Sequence, residues 1–362
     1  MKILFIAPLP PPVTGHSLAT KILLENLNKY HQVDVIDLCK RSFKQGADSA
    51  KRIFQVLRIL KKIWQKQKDA DVIYFTISES LAGNIKDLFV YLICSKKLHK
   101  MVIHLHGGSI RELLFDTNRL IFLANKYFIR RLGGAIVLGQ SHVSIFSDII
   151  EKRRVQVVPN FAENYLFVSE EDIRAKFDNT NPIRILFLSN LIEGKGHNYL
   201  VDAFEMLDDY YKVKVRIDFA GGFESNIQEK EFLSRVERNL SLQYHGIVGG
   251  LDKRNLFKHA HVLCLPTSLN EGQPISILEA YASGCAVITT DQGGIRDIFR
   301  DKTNGFLIQK KSAYSIKSVI EKIIQDPEGL FSMAMFNRKL ANKRYRTSHY
   351  NGALLKIIES LA

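Results

Sequence analysis

Residues 266–279 of this 362-residue chain run from Pro266 through Glu271, Gly272, Gln273 and Pro274 to Ile275, Ser276 and Glu279. An apolar strand ends at Pro266, a polar loop follows, and the spacing predicts a helix from about Ile275. Unpaired backbone N–H groups and the positive end of a helix dipole gather at such a junction, which suits a diphosphate. Glu271 falls in the loop and Glu279 about one turn inside the helix, so the two carboxylates stand roughly 10 Å or more apart if the path is partly extended. Such acceptors suit the hydroxyl groups of a sugar and of a ribose. Alone, Glu271 reads as a first-turn acid and Glu279 as a surface residue. The small, apolar stretch Ala280 to Gly284 makes this a buried helix instead, and a buried carboxylate requires a partner.

His106 ends the run MVIHLH and precedes Gly107 and Gly108, which let a ligand approach the carboxyl end of a strand. His104, two residues earlier on the same side of the strand, reads as core. After the first apolar run, Gly15 stands either where a diphosphate comes close to backbone or in a plain strand-to-helix turn. Residues 51–68, KRIFQVLRILKKIWQKQK, contain seven basic side chains and no acid. Ile53, Val56, Leu57, Leu60, Ile63 and Trp64 recur there at helical spacing, as a core-facing crossover helix requires. The single-signed opposite face, with Phe54 and Ile59 outside the stripe, suits an anionic membrane surface contacted by Arg58, Lys61, Lys62 and Trp64.

The elements that must position these residues follow one pattern. KILFIA (2–7), VDVIDL (33–38), DVIYFT (71–76), MVIHLH (101–106), GAIVLG (134–139) and VQVVP (155–159) read as buried strands separated by helical patterns. The alternation pauses over 160–182, rich in Asn, Asp and Glu, which reads as a linker. It resumes with strands at 184–189, 213–222, 242–248, 261–266, 285–290 and 305–309, and ends in helices over 312–362. Strands joined by helical crossovers imply right-handed βαβ units and parallel sheets covered on both faces. Two α/β lobes are expected in series, with ligands at the carboxyl ends of the strands and the active site in the cleft between lobes.

With 46% hydrophobic and 24% charged residues, the composition excludes a disordered, collagen-like or disulfide-scaffold chain. Cys39, Cys94, Cys264 and Cys285 form no CxxC pair, so neither zinc nor a disulfide frame is indicated. The apolar start stops at a proline cluster without a cleavage site, no run approaches the ~18 apolar residues of a spanning helix, and a cytosolic protein is expected. The net charge of +14 is uneven: residues 1–165 carry 25 basic and 13 acidic side chains, and 166–362 carry 26 and 24. A first lobe facing an anionic surface fits that asymmetry. GxGxxG and GxxxxGK[ST] are absent, which disfavours nicotinamide and P-loop enzymes. Asp69-Ala70-Asp71 precedes a strand and reads as a turn rather than a metal site.

Glu271 and Glu279, spaced E-x7-E within EGQPISILEAYASGCAVITT, resemble the signature of the retaining glycosyltransferases of family 4. Asp291 to Ile298, Asn304 to Leu307, Leu186 to Asn190 and Glu193 to Gly196 continue the likeness through the second half, and Gly15 and His106-Gly107-Gly108 extend it more weakly into the first. The resemblance implies a GT-B fold: two Rossmann-like lobes whose parallel sheets face each other across a cleft, spanning 1–165 for the acceptor and 166–340 for a nucleotide sugar. A C-terminal helix in 341–362 would pack back on the first lobe. It implies Lys195 on the donor diphosphate, Glu271 on the transferred sugar, Glu279 on the ribose, and a donor cradle of Gly15, Asn190, Gly272, Gln273, Pro274, Ile275 and Ser276. His106, Lys195 and Glu271 are the expected catalytic residues. At Asn190 the family commonly carries an arginine, and Arg184, Arg296 or a first-lobe residue is left to replace it.

The implied activity is metal-independent transfer, without a cofactor, from a UDP- or GDP-sugar to a glycan or lipid-linked oligosaccharide of a bacterial surface polysaccharide such as lipopolysaccharide O-antigen, capsule or exopolysaccharide. The implied place is peripheral on the inner face of the cytoplasmic membrane, with no nucleic-acid partner. A nucleotide-sugar epimerase, which can share the architecture, is the alternative enzyme. A basic nucleic-acid-binding protein is the alternative without catalysis, and no recognition module supports it.

Overall fold

Each predicted strand forms; Val72–Thr76, Met101–His104, Gly134–Val137, Val262–Leu265 and Ala286–Thr289 are short apolar runs buried along their whole length, while Gln32–Asp37, Val155–Val157, Leu242–Tyr244 and Gly305–Leu307 are largely half-buried or exposed. The computed structural model describes residues 1–39 and 49–362. The chain falls into two units: Met1–Asn160 with Asn270–Gln273 and Ser348–Ala362, and Phe161–Leu269 with Pro274–Thr347.

The first unit contains β1 (Lys2–Ala7), α1 (Gly15–Leu27), β2 (Gln32–Asp37), α2 (Ser49–Lys66), β3 (Val72–Thr76), α3 (Leu81–Ile93), β4 (Met101–His104), α4 (Arg119–Ile129), β5 (Gly134–Val137) and β6 (Val155–Val157). The strands order as β2-β1-β3-β4-β5-β6, all parallel, with Phe5 opposite both Val35 and Tyr74. Right-handed crossovers from β2 through β5 place α2, α3 and α4 side by side on one face of the sheet, and α2 packs on α3 and α3 on α4.

The second unit contains α5 (Glu170–Phe177), β7 (Ile183–Leu188), α6 (His197–Glu205), α7 (Asp209–Lys212), β8 (Val215–Ala220), α8 (Asn226–Val236), β9 (Leu242–Tyr244), α9 (Gly250–His259), β10 (Val262–Leu265), α10 (Ile275–Ala282), β11 (Ala286–Thr289), β12 (Gly305–Leu307), α11 (Ala313–Gln325) and α12 (Pro327–Arg344). Its sheet orders β12-β11-β10-β7-β8-β9, again parallel. Apart from its first residue, α13 (Thr347–Glu359) belongs to the first unit, where the Tyr350 hydroxyl lies 3.5 Å from the Ala19 carbonyl it bonds.

Two expectations are corrected. Residues 160–182 are not a structureless linker: Phe161, Ala162 and Leu166 are fully buried, and α5 opens on a capping box in which Ser169 and Asp172 bond reciprocally. Ile173 of α5 packs where a Cβ on Gly284 would stand. In α2 the inward edge is Val56, Ile59, Leu60 and Ile63, while Ile53, Leu57 and Trp64 are exposed. Apolar residues lie on more than one side of this helix, so spacing alone does not choose the buried edge. The side chains of Lys51 and Arg52 lie outside the described residues.

Because Ile173 is fully buried, Ile173→Ala is expected to destabilise the second unit by about 2–4 kcal/mol through the cavity it leaves. Urea unfolding followed by circular dichroism measures this, and a midpoint equal to that of the unaltered protein would show that α5 is not part of the core.

Candidate active site

In the second unit, the loop after β7 turns twice through glycines in the left-handed region, Gly194 at φ 88° and Gly196 at φ 90°. The Gly194 carbonyl accepts from the backbone N–H of Ser268 at 2.7 Å and from the Thr267 and Ser268 hydroxyls, both at 3.3 Å. A Cβ on Gly196 would collide with the Pro266 backbone. Half-buried Lys195 is therefore fixed between two strand-end loops, those after β7 and β10. Leu191 N–H donates to the Gly222 carbonyl at 2.8 Å, tying in the loop after β8 as well. Asn190 stands half-buried at the end of β7. Further along, α10 begins after Pro274, and no side chain caps its first turn.

Glu279, on the buried face of α10, has the partner its burial demands. Lys253 of α9 donates to Glu279 Oε1 at 2.6 Å and to Glu163 Oε2 at 2.7 Å, and the Tyr165 hydroxyl donates to Glu163 at 3.1 Å. Burial pushes the Glu279 carboxyl above its ordinary range, opposed by Lys253. The same burial works against the Lys253 ammonium, yet Glu279 and Glu163 outweigh it and raise its pKa. Sequence reasoning missed Lys253 and Glu163; the only available signal was that a buried Glu279 needed a cation.

Asn270–Gln273 belongs with the first unit, although 266–279 was read as one stretch of the second lobe. Hydrogen bonds explain the placement. Asn270 Nδ2 donates to the Gly108 carbonyl at 3.1 Å, and Gln273 Nε2 to the Leu138 carbonyl at 3.2 Å. Asn160 donates through its backbone N–H to Gln273 Oε1 at 2.6 Å and through Nδ2 to the Gln273 carbonyl at 2.8 Å. His142 Nε2 lies 3.2 Å from the Glu271 carbonyl, and a Cβ on Gly272 would collide with the His106 carbonyl. Glu271 and Gly272 thus sit beside the His106-Gly107-Gly108 turn at the carboxyl end of β4, and the Gln273 side chain is a structural tie.

Three imidazoles stack at that turn: His16 on His106 at 4.2 Å between centroids and His106 on His104 at 4.0 Å, with His104 Nδ1 sharing a 2.7 Å hydrogen bond with the Tyr74 hydroxyl. Their Nε2 atoms are buried without a hydrogen-bond partner. Burial lowers His16 to about 4, helped by Lys86, and His104 to about 3, helped by His16. Burial and the two neighbouring rings take His106 well below 6.5. Glu79, following β3, accepts from the backbone N–H groups of Ser109 and Ile110 and so anchors the same turn; its pKa is raised by burial against those two bonds, and Glu271 adds to the rise. His16 and Glu79 were not predicted, since neither lies in a motif. Gly15 is exposed as the first residue of α1, next to a Thr14 cap. Arg184 is the second residue of β7, at the end opposite these loops, and Arg296 is exposed with Nε 2.8 Å from Asp291 Oδ1.

Two all-parallel six-stranded sheets with helical crossovers, and loops gathered at the carboxyl ends of their strands, define an α/β protein of the GT-B class. Residues 168–340 match the family described as glycosyl transferases group 1. The chain is 23% identical over 294 residues, 79% of its length and 78% of the relative's, to the GalNAc-alpha-(1->4)-GalNAc-alpha-(1->3)-diNAcBac-PP-undecaprenol alpha-1,4-N-acetyl-D-galactosaminyltransferase of Campylobacter jejuni. It is 26% identical over 182 residues, half of each chain, to the lipopolysaccharide core biosynthesis glycosyltransferase LpsE of Rhizobium meliloti. The structure of Anabaena Alr3699/HepE in complex with UDP and glucose matches 99% of this chain and 100% of that one with a TM-score of 0.76 at 19% identity. The chain spans between 36 and 78% of the length of eight curated relatives it matches.

The histidine stack makes stability depend on pH in a definite direction. Below about 6.5 the unfolded chain protonates these rings, whereas the folded protein leaves His16 neutral until about 4. The unfolded state therefore binds more protons in that window, and stability from His16 falls as pH falls from 6.5 to 4. Replacing His16 with Asn is expected to make the drop in Tm over this range shallower than in the unaltered protein, and parallel melting curves would contradict the neutral stack.

Proposed function

We propose that the chain is a retaining, metal-independent glycosyltransferase that moves one sugar from a UDP- or GDP-sugar to a lipid-linked glycan during bacterial surface polysaccharide assembly. The observation that carries this reading is the second unit's strand-end arrangement: Lys195 held through the Gly194 carbonyl beside the loop that leads to the uncapped start of α10. The family match over 168–340 supports the reaction class. The C. jejuni relative, named for an undecaprenol diphosphate-linked glycan, supports the acceptor, and the HepE complex with UDP supports a uridine nucleotide.

Cleaving the bond between a sugar's anomeric carbon and a phosphate oxygen moves negative charge onto the leaving diphosphate. A fixed cation and helix amides aimed at that charge lower the barrier. Lys195 and the N–H groups of Ile275 and Ser276 take this role; Pro274 has no N–H to give. Glu279 keeps one oxygen on Lys253 and offers the other to a ribose hydroxyl. In the first unit, the neutral ring of His106 hydrogen-bonds a sugar hydroxyl, and Glu271 contacts the transferred sugar. The acceptor hydroxyl attacks the face from which the diphosphate departs, the departing phosphate oxygen takes its proton, and the anomeric configuration is kept. The enzyme acts from the cytoplasmic side at the surface of the membrane that carries the acceptor.

Lys195→Ala is expected to lower kcat/KM for the nucleotide sugar by about 10²–10³-fold, the usual effect of removing one preorganised stabilising group. Glu279→Ala is expected to raise the donor KM by roughly tenfold through the lost ribose contact. Transfer assays with product stereochemistry read by proton NMR test both; unchanged kinetics, an inverted product, or an epimer formed from the donor without acceptor would overturn the reading.

A further inference from the structure

The His106 ring is set in place by the faces of its neighbours rather than by hydrogen bonds. Its Nε2 is buried without a partner, and among the described residues the ring makes no hydrogen bond. The backbone that carries it is fixed independently: a Cβ on Gly107 would collide with the Glu79 carboxylate, which accepts from the Ser109 N–H. Two ring contacts then set the plane of the imidazole. His104 packs on it at 4.0 Å between centroids with a 34° tilt, and His16 stacks on it at 4.2 Å and 22°. Burial favours the neutral form of all three rings, so they meet without charge repulsion.

One of these contacts is held by the sheet. His104 is fully buried and shares its 2.7 Å hydrogen bond with Tyr74, and Tyr74 stacks on Phe5 at 4.9 Å and 10°, so this column of rings begins in the core of β1, β3 and β4. The other contact rests on α1, where His16 is the second residue. Thr14 and Ser17 bond reciprocally on either side of it at 2.9 and 3.0 Å, and the Ser17 hydroxyl donates to the Pro12 carbonyl at 2.8 Å. The Thr20 hydroxyl donates to the Pro8 and His16 carbonyls. The start of the helix is therefore fastened before and after His16. Among the described residues the His16 ring makes no hydrogen bond of its own, and the ring it contacts is His106.

We propose that His16 is a positioning residue: its ring, carried on the fastened start of α1, holds the His106 imidazole in the plane from which it meets a sugar hydroxyl. The inference deepens the reading given above and rests on it for the sugar contact. A hydrogen bond weakens steeply once donor and acceptor lose alignment, and a small misplacement of a reacting partner costs on the order of 10²-fold in rate. An imidazole with no hydrogen bond of its own depends on stacking for that alignment. What His16 contributes is a flat face rather than a nitrogen, which separates it from a residue that touches substrate.

His16→Ala and His16→Phe in the full chain test it through two readouts. Long-range proton–nitrogen NMR of histidine-labelled protein follows the His106 ring, assigned by the signal lost in His106→Gln. His16→Ala is expected to broaden that signal as the ring samples several orientations, and His16→Phe to keep it sharp. With the UDP- or GDP-sugar that the protein turns over, His16→Ala is expected to lower kcat/KM by about 10–100-fold, and His16→Phe to restore most of the loss. Melting curves establish that each variant is folded. Two results would overturn the proposal: a His106 signal that stays sharp in His16→Ala, or a His16→Phe variant as slow as His16→Ala although its His106 signal is sharp, which would mean that a nitrogen of His16 acts directly. Turnover of no nucleotide sugar would overturn the transferase reading and the sugar contact with it, and the NMR signals would still decide whether His16 holds the ring, so the two failures are distinguishable.

Discussion

The second unit depends on one buried ion cluster. Lys253 brings together Glu279 from α10 and Glu163 from the segment before α5, in an interior where a lone charge would cost several kcal/mol. The cluster ties α10 to α9 and to the segment before α5. Removing Lys253 would leave the buried Glu279 carboxylate uncompensated beside the half-buried Glu163, which is worse than replacing the whole cluster with apolar groups.

The first unit uses the opposite device. Three stacked imidazoles stay uncharged, and backbone and amide hydrogen bonds, rather than ions, draw Asn270–Gln273 against the turn after β4. Neutral rings with unsatisfied Nε2 atoms can accept or donate to hydroxyl groups without the desolvation cost of a charged partner. The two units therefore offer different chemistry: a cation with uncapped helix amides in one, and neutral hydrogen bonding with a carboxylate in the other.

Every strand could be read from sequence, because β-branched runs bounded by Gly, Pro or charge have no competing use in a parallel sheet. The helix opening at Ile275 was equally legible from the proline before it. What was missed shares a physical cause, namely pairing across distance. Lys253 stands 26 residues from Glu279, and Glu79 bonds Ser109 30 residues on, so no local pattern announces either. The α5 capping box was present in sequence at Ser169 and Asp172, but the acidic run around it has the composition of a linker.

In the function proposed above, the loops after β7 and β10, with the start of α10, grip the diphosphate of a nucleotide. Crystals soaked in turn with UDP, GDP and ADP test this grip. Density is expected for both phosphates of one of them against Lys195 Nζ and the N–H groups of Ile275 and Ser276. Nucleotide density elsewhere on the protein, or none with any of the three, would contradict it.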